Sequence, residues 1–232
     1  MRKRAVVTVA TRQPYVRYVS RLISSLLEHG YEGAILPWIN AWPPGSPPHQ
    51  EMHYAFKVHA VLEASRQGYD SVLWLDAACH AVAPIEPVWL NIETHGHYLF
   101  YGDDVLGEWI SDQALAHLEY TRDQAMEMRL FGGCAIGLDL TSPRSRRFLE
   151  WWAALAKTGL FITVHSAYAP DRMKSLLVSD ADESMVISED PRCKGHRSDE
   201  ACFALMADRL GMQALPSDPY FSQYFGSGYD LA

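Results

Sequence analysis

Two hydrophobic rhythms alternate along this chain. Ala5-Val6-Val7-Thr8-Val9-Ala10 is a short β-branched block between polar neighbours and predicts a buried strand. From Tyr15 to His29 the apolar residues fall at 15, 18, 19, 22, 26 and 27, a helical spacing that stops at Gly30. Ala34 to Ile39 predicts a second strand. It runs into Trp42-Pro43-Pro44-Gly45-Ser46-Pro47-Pro48, whose prolines exclude helix and central strand and predict an exposed loop. Met52 to Gln67 returns to helical spacing, with Tyr54, Val58, Val61 and Leu62 on one stripe and Gly68 at its end. Ser71 to Leu75 is an apolar strand that ends abruptly at Asp76.

The second half continues the alternation. Tyr98 to Tyr101 predicts a strand terminated by a turn at Gly102-Asp103-Asp104. Leu130 to Leu140 predicts a strand with a glycine pair at its start, and Ser142-Pro143 opens a helix as N-cap and first residue. That helix carries Phe148, Leu149, Trp152, Leu155 and Ala156 on one face, so Trp151 and Trp152 default to core packing. Residues 165–197 are the least structured part, Asp199 to Leu210 is a further helix ended by Gly211, and the tail from Pro216 is aromatic and turn-rich. Strands alternating with helices predict an α/β fold: a mostly parallel central sheet, helices on both faces, and ligands at the carboxyl ends of the strands.

Composition narrows the class without naming a function. At 232 residues, 48% hydrophobic and 21% charged, the chain has the size and make-up of one soluble α/β domain. A formal charge of −8 disfavours a nucleic-acid backbone or an anionic membrane as partner. Cys79, Cys134, Cys193 and Cys202 show no CxxC spacing and read as reduced thiols. No run reaches the ~18 apolar residues of a membrane helix. Met1-Arg2-Lys3-Arg4 followed by Ala5–Ala10 is too short for a signal peptide, so a cytoplasmic location is expected. The absence of G-x-S-x-G, P-loop and G-x-G-x-x-G patterns removes the commonest hydrolase, NTPase and dinucleotide readings.

The chemistry concentrates at Asp76. An acid ending an apolar strand sits at the carboxyl edge of the sheet, where it can meet a ribose hydroxyl or a metal bound to a diphosphate. Lys57 lies beside the apolar stripe of the preceding helix, where its cation is placed to neutralise a phosphate. The plainer alternatives are a turn-forming aspartate and a snorkelling lysine. Farther along come Gly132-Gly133, which would let a ligand approach the backbone, and Asp199-Glu200 in a first helical turn, a position capping alone also favours. His95-Gly96-His97 places two imidazoles on one face of an extended segment, with no third ligand in sight.

The run Lys57-Val58-His59-Ala60-Val61-Leu62-Glu63, then Gly68-Tyr69-Asp70-Ser71-Val72-Leu73-Trp74-Leu75-Asp76-Ala77-Ala78, resembles the signature of GT-A-type nucleotide-sugar glycosyltransferases. There a lysine-bearing helix leads into a DxD motif. The resemblance implies a single GT-A-like (Rossmann-like) domain over 1–232, with a nucleotide-sugar-binding half (1–110) and an acceptor-binding half (111–232). It implies transfer of a sugar from a nucleoside diphosphate sugar, such as a UDP-sugar, to a hydroxyl of a glycan, lipid, protein or modified nucleic acid. Ala10, Thr11, Arg12 and Tyr15 would grip base and ribose, Lys57, Asp76 and Ala77 would hold the donor, and Gly132 and Gly133 would floor the pocket. Asp199, preferred over Glu200, would be base or positioner. The loops 42–50 and 165–197 would close over the site. The second acid of the motif is Ala78 here, and no histidine follows His196. A manganese or magnesium ion would therefore need Asp76 with His80, Asp218 or Asp230, or else Lys57 and Arg12 carry more of the leaving-group charge. The rivals are a GT-A-like binding protein without catalysis, and a sugar nucleotidyltransferase, whose Gly-rich loop Thr11-Arg12-Gln13-Pro14 lacks.

Overall fold

A computed structural model describes residues 2–161, 164–165 and 187–223. The order is β1 (Arg4–Ala10), α1 (Tyr15–Glu28), β2 (Ala34–Ile39), α2 (Ala55–Arg66), β3 (Ser71–Leu75), β4 (Cys79–Ala81), α3 (Glu86–His95), β5 (His97–Tyr98) and β6 (Tyr101–Val105). A 3₁₀ turn (Leu106–Glu108) follows, then α4 (Asp112–Leu118), α5 (Arg122–Met126), β7 (Arg129–Phe131), β8 (Ala135–Asp139) and α6 (Pro143–Leu155). The remainder is β9 (Val164–His165), β10 (Gly195–His196), α7 (Ser198–Arg209) and β11 (Phe221–Gln223).

The central sheet has the order β2-β1-β3-β8-β5. β1 is parallel to both β2 and β3, whereas β8 runs antiparallel to β3 and to β5, so four of the five strands share one direction. β1, β3 and β8 are buried in continuous runs because both faces are covered, whereas the edge strand β2 is part-exposed. Val6, Leu73, Leu75 and Ala135 face Leu22 and Leu26 of α1 and Val88, Trp89 and Ile92 of α3. Val7, Val9, Val72, Trp74, Ile136 and Leu138 face α2, α6 and α7 through Val58, Val61, Phe148, Trp152 and Phe203. The α/β class, the dominant strand direction and the two helical layers are as the alternating pattern predicts. Among the described residues the four cysteines form no disulfide. Among the described residues no helix is long and apolar enough to cross a membrane.

Several local expectations are corrected. α2 begins three residues after Met52, because Tyr54 has φ 57°, outside the helical region. Gly102-Asp103-Asp104 does not terminate a strand; it lies inside β6, which pairs with β7. The three residues form the irregular, bulged stretch between the paired Tyr101 and Val105, and the break falls earlier, where Leu99 and Tyr101 bond to Leu215. The span Leu130–Leu140 is two strands, with the glycine pair as the joint where the chain leaves the β6–β7 ribbon for the central sheet. His95-Gly96-His97 is not extended: His95 ends α3, Gly96 caps it at φ 87°, and His97 opens β5 with Nε2 2.8 Å from the Gln213 carbonyl oxygen. The loop at 42–48 is not fully exposed, since Pro43 is buried and Trp42 packs on Phe56 with ring centroids 5.6 Å apart. Most of the 165–197 loop and the tail from 224, including Asp230, lie outside the described residues.

The seat of α3 on the sheet depends on Gly137 in the middle of β8. A Cβ there would stand 2.5 Å from Ile92 Cδ1 and 2.8 Å from Tyr98 Cβ. Gly137→Ala is expected to cost about 1–3 kcal/mol through overpacking. Urea denaturation measures this; an unchanged midpoint would refute the close seating.

Candidate functional site

The site forms where β3 gives out. Asp76 N–H donates to the Cys134 carbonyl at 2.8 Å, one step beyond the β3–β8 ladder, and Cys79 N–H returns to the Asp76 carbonyl at 2.9 Å. The chain thus turns sharply at Asp76 and leaves its side chain 29% exposed at the carboxyl edge. Trp74, two residues back on the same strand face, donates Nε1–H to Asp76 Oδ1 at 2.9 Å. One carboxylate oxygen is therefore held by the protein.

Lys57, in the first turn of α2, is only 2% exposed. Its Nζ donates to the Gly133 carbonyl at 3.0 Å and stands 3.8 Å from Asp76 Oδ1, 3.6 Å from Asp199 Oδ2 and 4.8 Å from the centroid of the Tyr54 ring. A buried ammonium is tolerated only with such partners. Burial is the largest influence and favours the neutral amine, but Asp199, Asp76 and Glu200 together outweigh it and the net shift is upward. Lys57 is thus firmly charged and turned inward. Its ammonium fixes Asp76 rather than meeting a ligand through solvent.

Asp199 and Glu200 open α7 and part company there. Asp199 is fully buried, and neither of its carboxylate oxygens has a hydrogen-bond partner. Burial pushes its carboxyl up to about 7, against the pull of Lys57, while Glu200 and Asp76 add to the rise. The two partners of the Lys57–Asp199 pair therefore benefit unequally. Lys57 has two other oxygens near it, whereas Asp199 has an ammonium at 3.6 Å and no hydrogen bond. The 3.6 Å separation explains why burial prevails. Glu200 is 21% exposed, and Arg197 Nε reaches it at 3.3 Å while Arg197 Nη1 holds Asp104 Oδ2 at 2.7 Å. Of the acidic pair, the preferred Asp199 is sealed and Glu200 faces outward.

The other expected residues sort by distance from this cluster. Ala10 packs with Ala77 and Val19, which brings the β1–α1 turn against the exit of β3. On that turn Thr11 is half-buried and Arg12 exposed, with the Arg12 guanidinium 5.9 Å from the centroid of a Tyr15 ring that is 37% exposed. Gly132 and Gly133 do approach something closely, but it is the protein itself: a Cβ on Gly132 would collide with the Phe100 ring, and one on Gly133 would meet Glu200 Cγ at 2.5 Å. His80 lies on β4 opposite Ser222 of β11, beside Arg21, and burial with that cation holds its pKa down. Ala78 is buried, and Arg21 Nη2 donates to its carbonyl at 2.6 Å. Asp218 is engaged by the Tyr98 hydroxyl and the Tyr220 N–H, both at 2.8 Å. Among the described residues no group of three His, Cys, Asp or Glu side chains gathers to hold a metal. Trp74, Arg197 and Tyr54 were not anticipated; only Trp74 had a legible signal, two residues before Asp76 on one strand face.

A cleft of about 580 Å³ lies elsewhere, lined by Arg2, Arg4, Tyr31, Glu86 and Glu93 near the amino end of β1. Arg4 there is already paired with Glu86 and Glu93, both at 2.8 Å. The functional candidate is the charge cluster at the opposite strand ends.

No protein-family model matches the chain, and no curated protein matches it. Among solved structures it is similar to mouse xyloside xylosyltransferase 1 in its apo form, at 11% identity and a TM-score of 0.47, over 94% of this chain and 85% of that one. It is also similar to a glycosyltransferase involved in glycosylation of the major capsid of PBCV-1, at 11% identity and a TM-score of 0.41, over 67% of each chain. The glycosyltransferase GlyE of Streptococcus pneumoniae TIGR4 matches at 12% identity and a TM-score of 0.42, over 94% of this chain and 46% of that one. The roles of individual side chains follow from the geometry above and not from these likenesses.

Two measurements address the cluster. Because Asp199 titrates at about 7 in the fold instead of 3.8, the folded state holds its proton more tightly than the unfolded chain. Stability should therefore fall as pH rises from the ordinary carboxylate range through about 7. Lys57, shifted upward, contributes a constant amount over that window. Asp199→Asn should flatten the slope of the urea midpoint between about pH 5 and about pH 8; an identical slope would contradict the assignment. Lys57→Met leaves the buried Asp199 carboxyl without its cation and should cost about 3–5 kcal/mol, read as a drop in calorimetric melting temperature.

Proposed function

We propose that this chain is a GT-A-type glycosyltransferase that moves a sugar from a nucleoside diphosphate sugar to an acceptor hydroxyl. The observation that carries the proposal is Asp76: a part-exposed carboxylate at the carboxyl edge of an α/β sheet, backed by a buried ammonium. Such an acid accepts hydroxyls of the donor's ribose or sugar with little reorganisation, because Lys57 and Trp74 already fix it. Arg12 and Tyr15 on the adjoining turn offer an exposed cation for the diphosphate and an aromatic face for the base. Glu200, open to solvent and steadied by Arg197, is the better placed general base or positioner for the acceptor.

The division of labour follows the chain. Donor contacts fall in residues 1–110 and the acid in 111–232, and one apolar cluster draws on both halves. A manganese or magnesium ion fits the described residues poorly. Asp76 Oδ1 is occupied by Trp74, Ala78 supplies no ligand, and His80 faces Arg21. Arg12 is the group in position to bear the leaving-group charge.

Asp76→Asn keeps the shape and removes the charge. It is expected to weaken binding of a UDP-sugar or its equivalent at least tenfold in calorimetric titration, with the far-UV circular dichroism unchanged. Undiminished affinity in the variant would remove the central support.

A further inference from the structure

The residue just ahead of α2 is held against its backbone preference beside the charged cluster. Tyr54 has φ 57° and ψ 4°, the left-handed region that side chains other than glycine and asparagine rarely adopt. A glycine would make the same turn without strain, so the position keeps its ring for another reason. Several contacts hold it there. The Tyr54 N–H donates to His49 Nδ1 at 3.1 Å, the His49 ring packs at 4.9 Å, and the Lys57 ammonium lies 4.8 Å from the ring centroid. The residue is half-buried, not sealed. Burial raises its phenol to about 12, against Lys57 and with Glu200, Asp76 and Asp199, so at neutral pH it carries its proton.

We infer that Tyr54 is a substrate-contacting residue whose phenol hydrogen-bonds a hydroxyl of the donor's sugar beside Asp76. This rests on the reading of Asp76 as part of a donor site. A hydroxyl is both donor and acceptor, and a phenol among carboxylates supplies both complements: the sugar donates to an acid and accepts from the tyrosine. A diphosphate offers acceptors only and would be repelled by the same acids. The contact therefore belongs to a polyhydroxylated sugar rather than to the nucleotide.

Tyr54→Phe tests this, since it preserves the ring, the packing over Lys57 and the backbone. Wild type, Tyr54→Phe and Asp76→Asn are titrated calorimetrically with UDP, UDP-glucose, GDP and GDP-mannose, and their melting temperatures compared. The expected result is about tenfold weaker binding of the nucleotide sugar by Tyr54→Phe, with the nucleoside diphosphate changed less than twofold and the melting temperature unmoved. Equal losses for nucleotide and nucleotide sugar, or no loss for either, would overturn the inference. If Asp76→Asn loses binding while Tyr54→Phe keeps it, this inference alone fails. Wild type that binds none of these probes would overturn it together with the donor-site reading.

Discussion

One ammonium group organises the business end of this molecule. Lys57 has almost no contact with water, and an uncompensated charge there would cost several kcal/mol. Its compensation comes from segments far apart in sequence: Asp76 after β3, Asp199 in the first turn of α7, and the Gly133 carbonyl in the joint between β7 and β8. Each must stand at a fixed place for the lysine to be buried. The lysine therefore ties the end of one central strand, the joint leading into its neighbour and a second helix of its own layer. This also makes Asp76 a rigid acid, with one oxygen facing both the ammonium and the Trp74 indole N–H. The open position at the sheet edge is thus pre-organised from behind.

The charges around this point are unequal in kind. Asp76 and Glu200 are part-exposed acids, Asp199 is a buried carboxyl that titrates near neutrality, and Lys57 is committed inward. Seen from solvent, the cluster favours hydroxyl groups over phosphates. On the proposed reading, an anionic diphosphate belongs at the β1–α1 turn, where Arg12 is exposed. Ala78 fits the same picture. On the proposed reading, Arg21 on its carbonyl at 2.6 Å puts a guanidinium close to where a DxD motif would carry its second acid.

Much of the sheet was legible because both of its faces are covered. Continuous apolar runs then mark β1, β2 and β3, and the point where β3 stops marks Asp76. What stayed hidden depends on contacts between distant segments. Gly102-Asp103-Asp104 has the chemistry of a turn, yet pairing with β7 at Tyr101 and Val105 on either side carries it through β6 as a bulge. The glycine pair does signal close approach, but the approaching groups are Phe100 and Glu200. His80 is near Asp76 in sequence, but the reversal into β4 turns it toward Arg21. Asp199 and Glu200 illustrate the limit best. Neighbours on a helix point about 100° apart, so only one can face the core, and which one depends on where α7 meets Lys57.

The unanticipated features share one physical logic. A tyrosine in the left-handed region and a carboxylate with no hydrogen bond are each unfavourable alone, and they persist only where surrounding structure over-determines them. Here they converge on the same ammonium: the Tyr54 ring lies over it and Asp199 lies beside it. Away from this point the two apolar layers pack such residues as Trp89 and Trp152 with no exposed surface. At this sheet edge the strained tyrosine and the buried carboxyl flank the ammonium that holds Asp76 in place. The buried lysine is the link between core and edge, because its position is set by the core and its charge sets the edge.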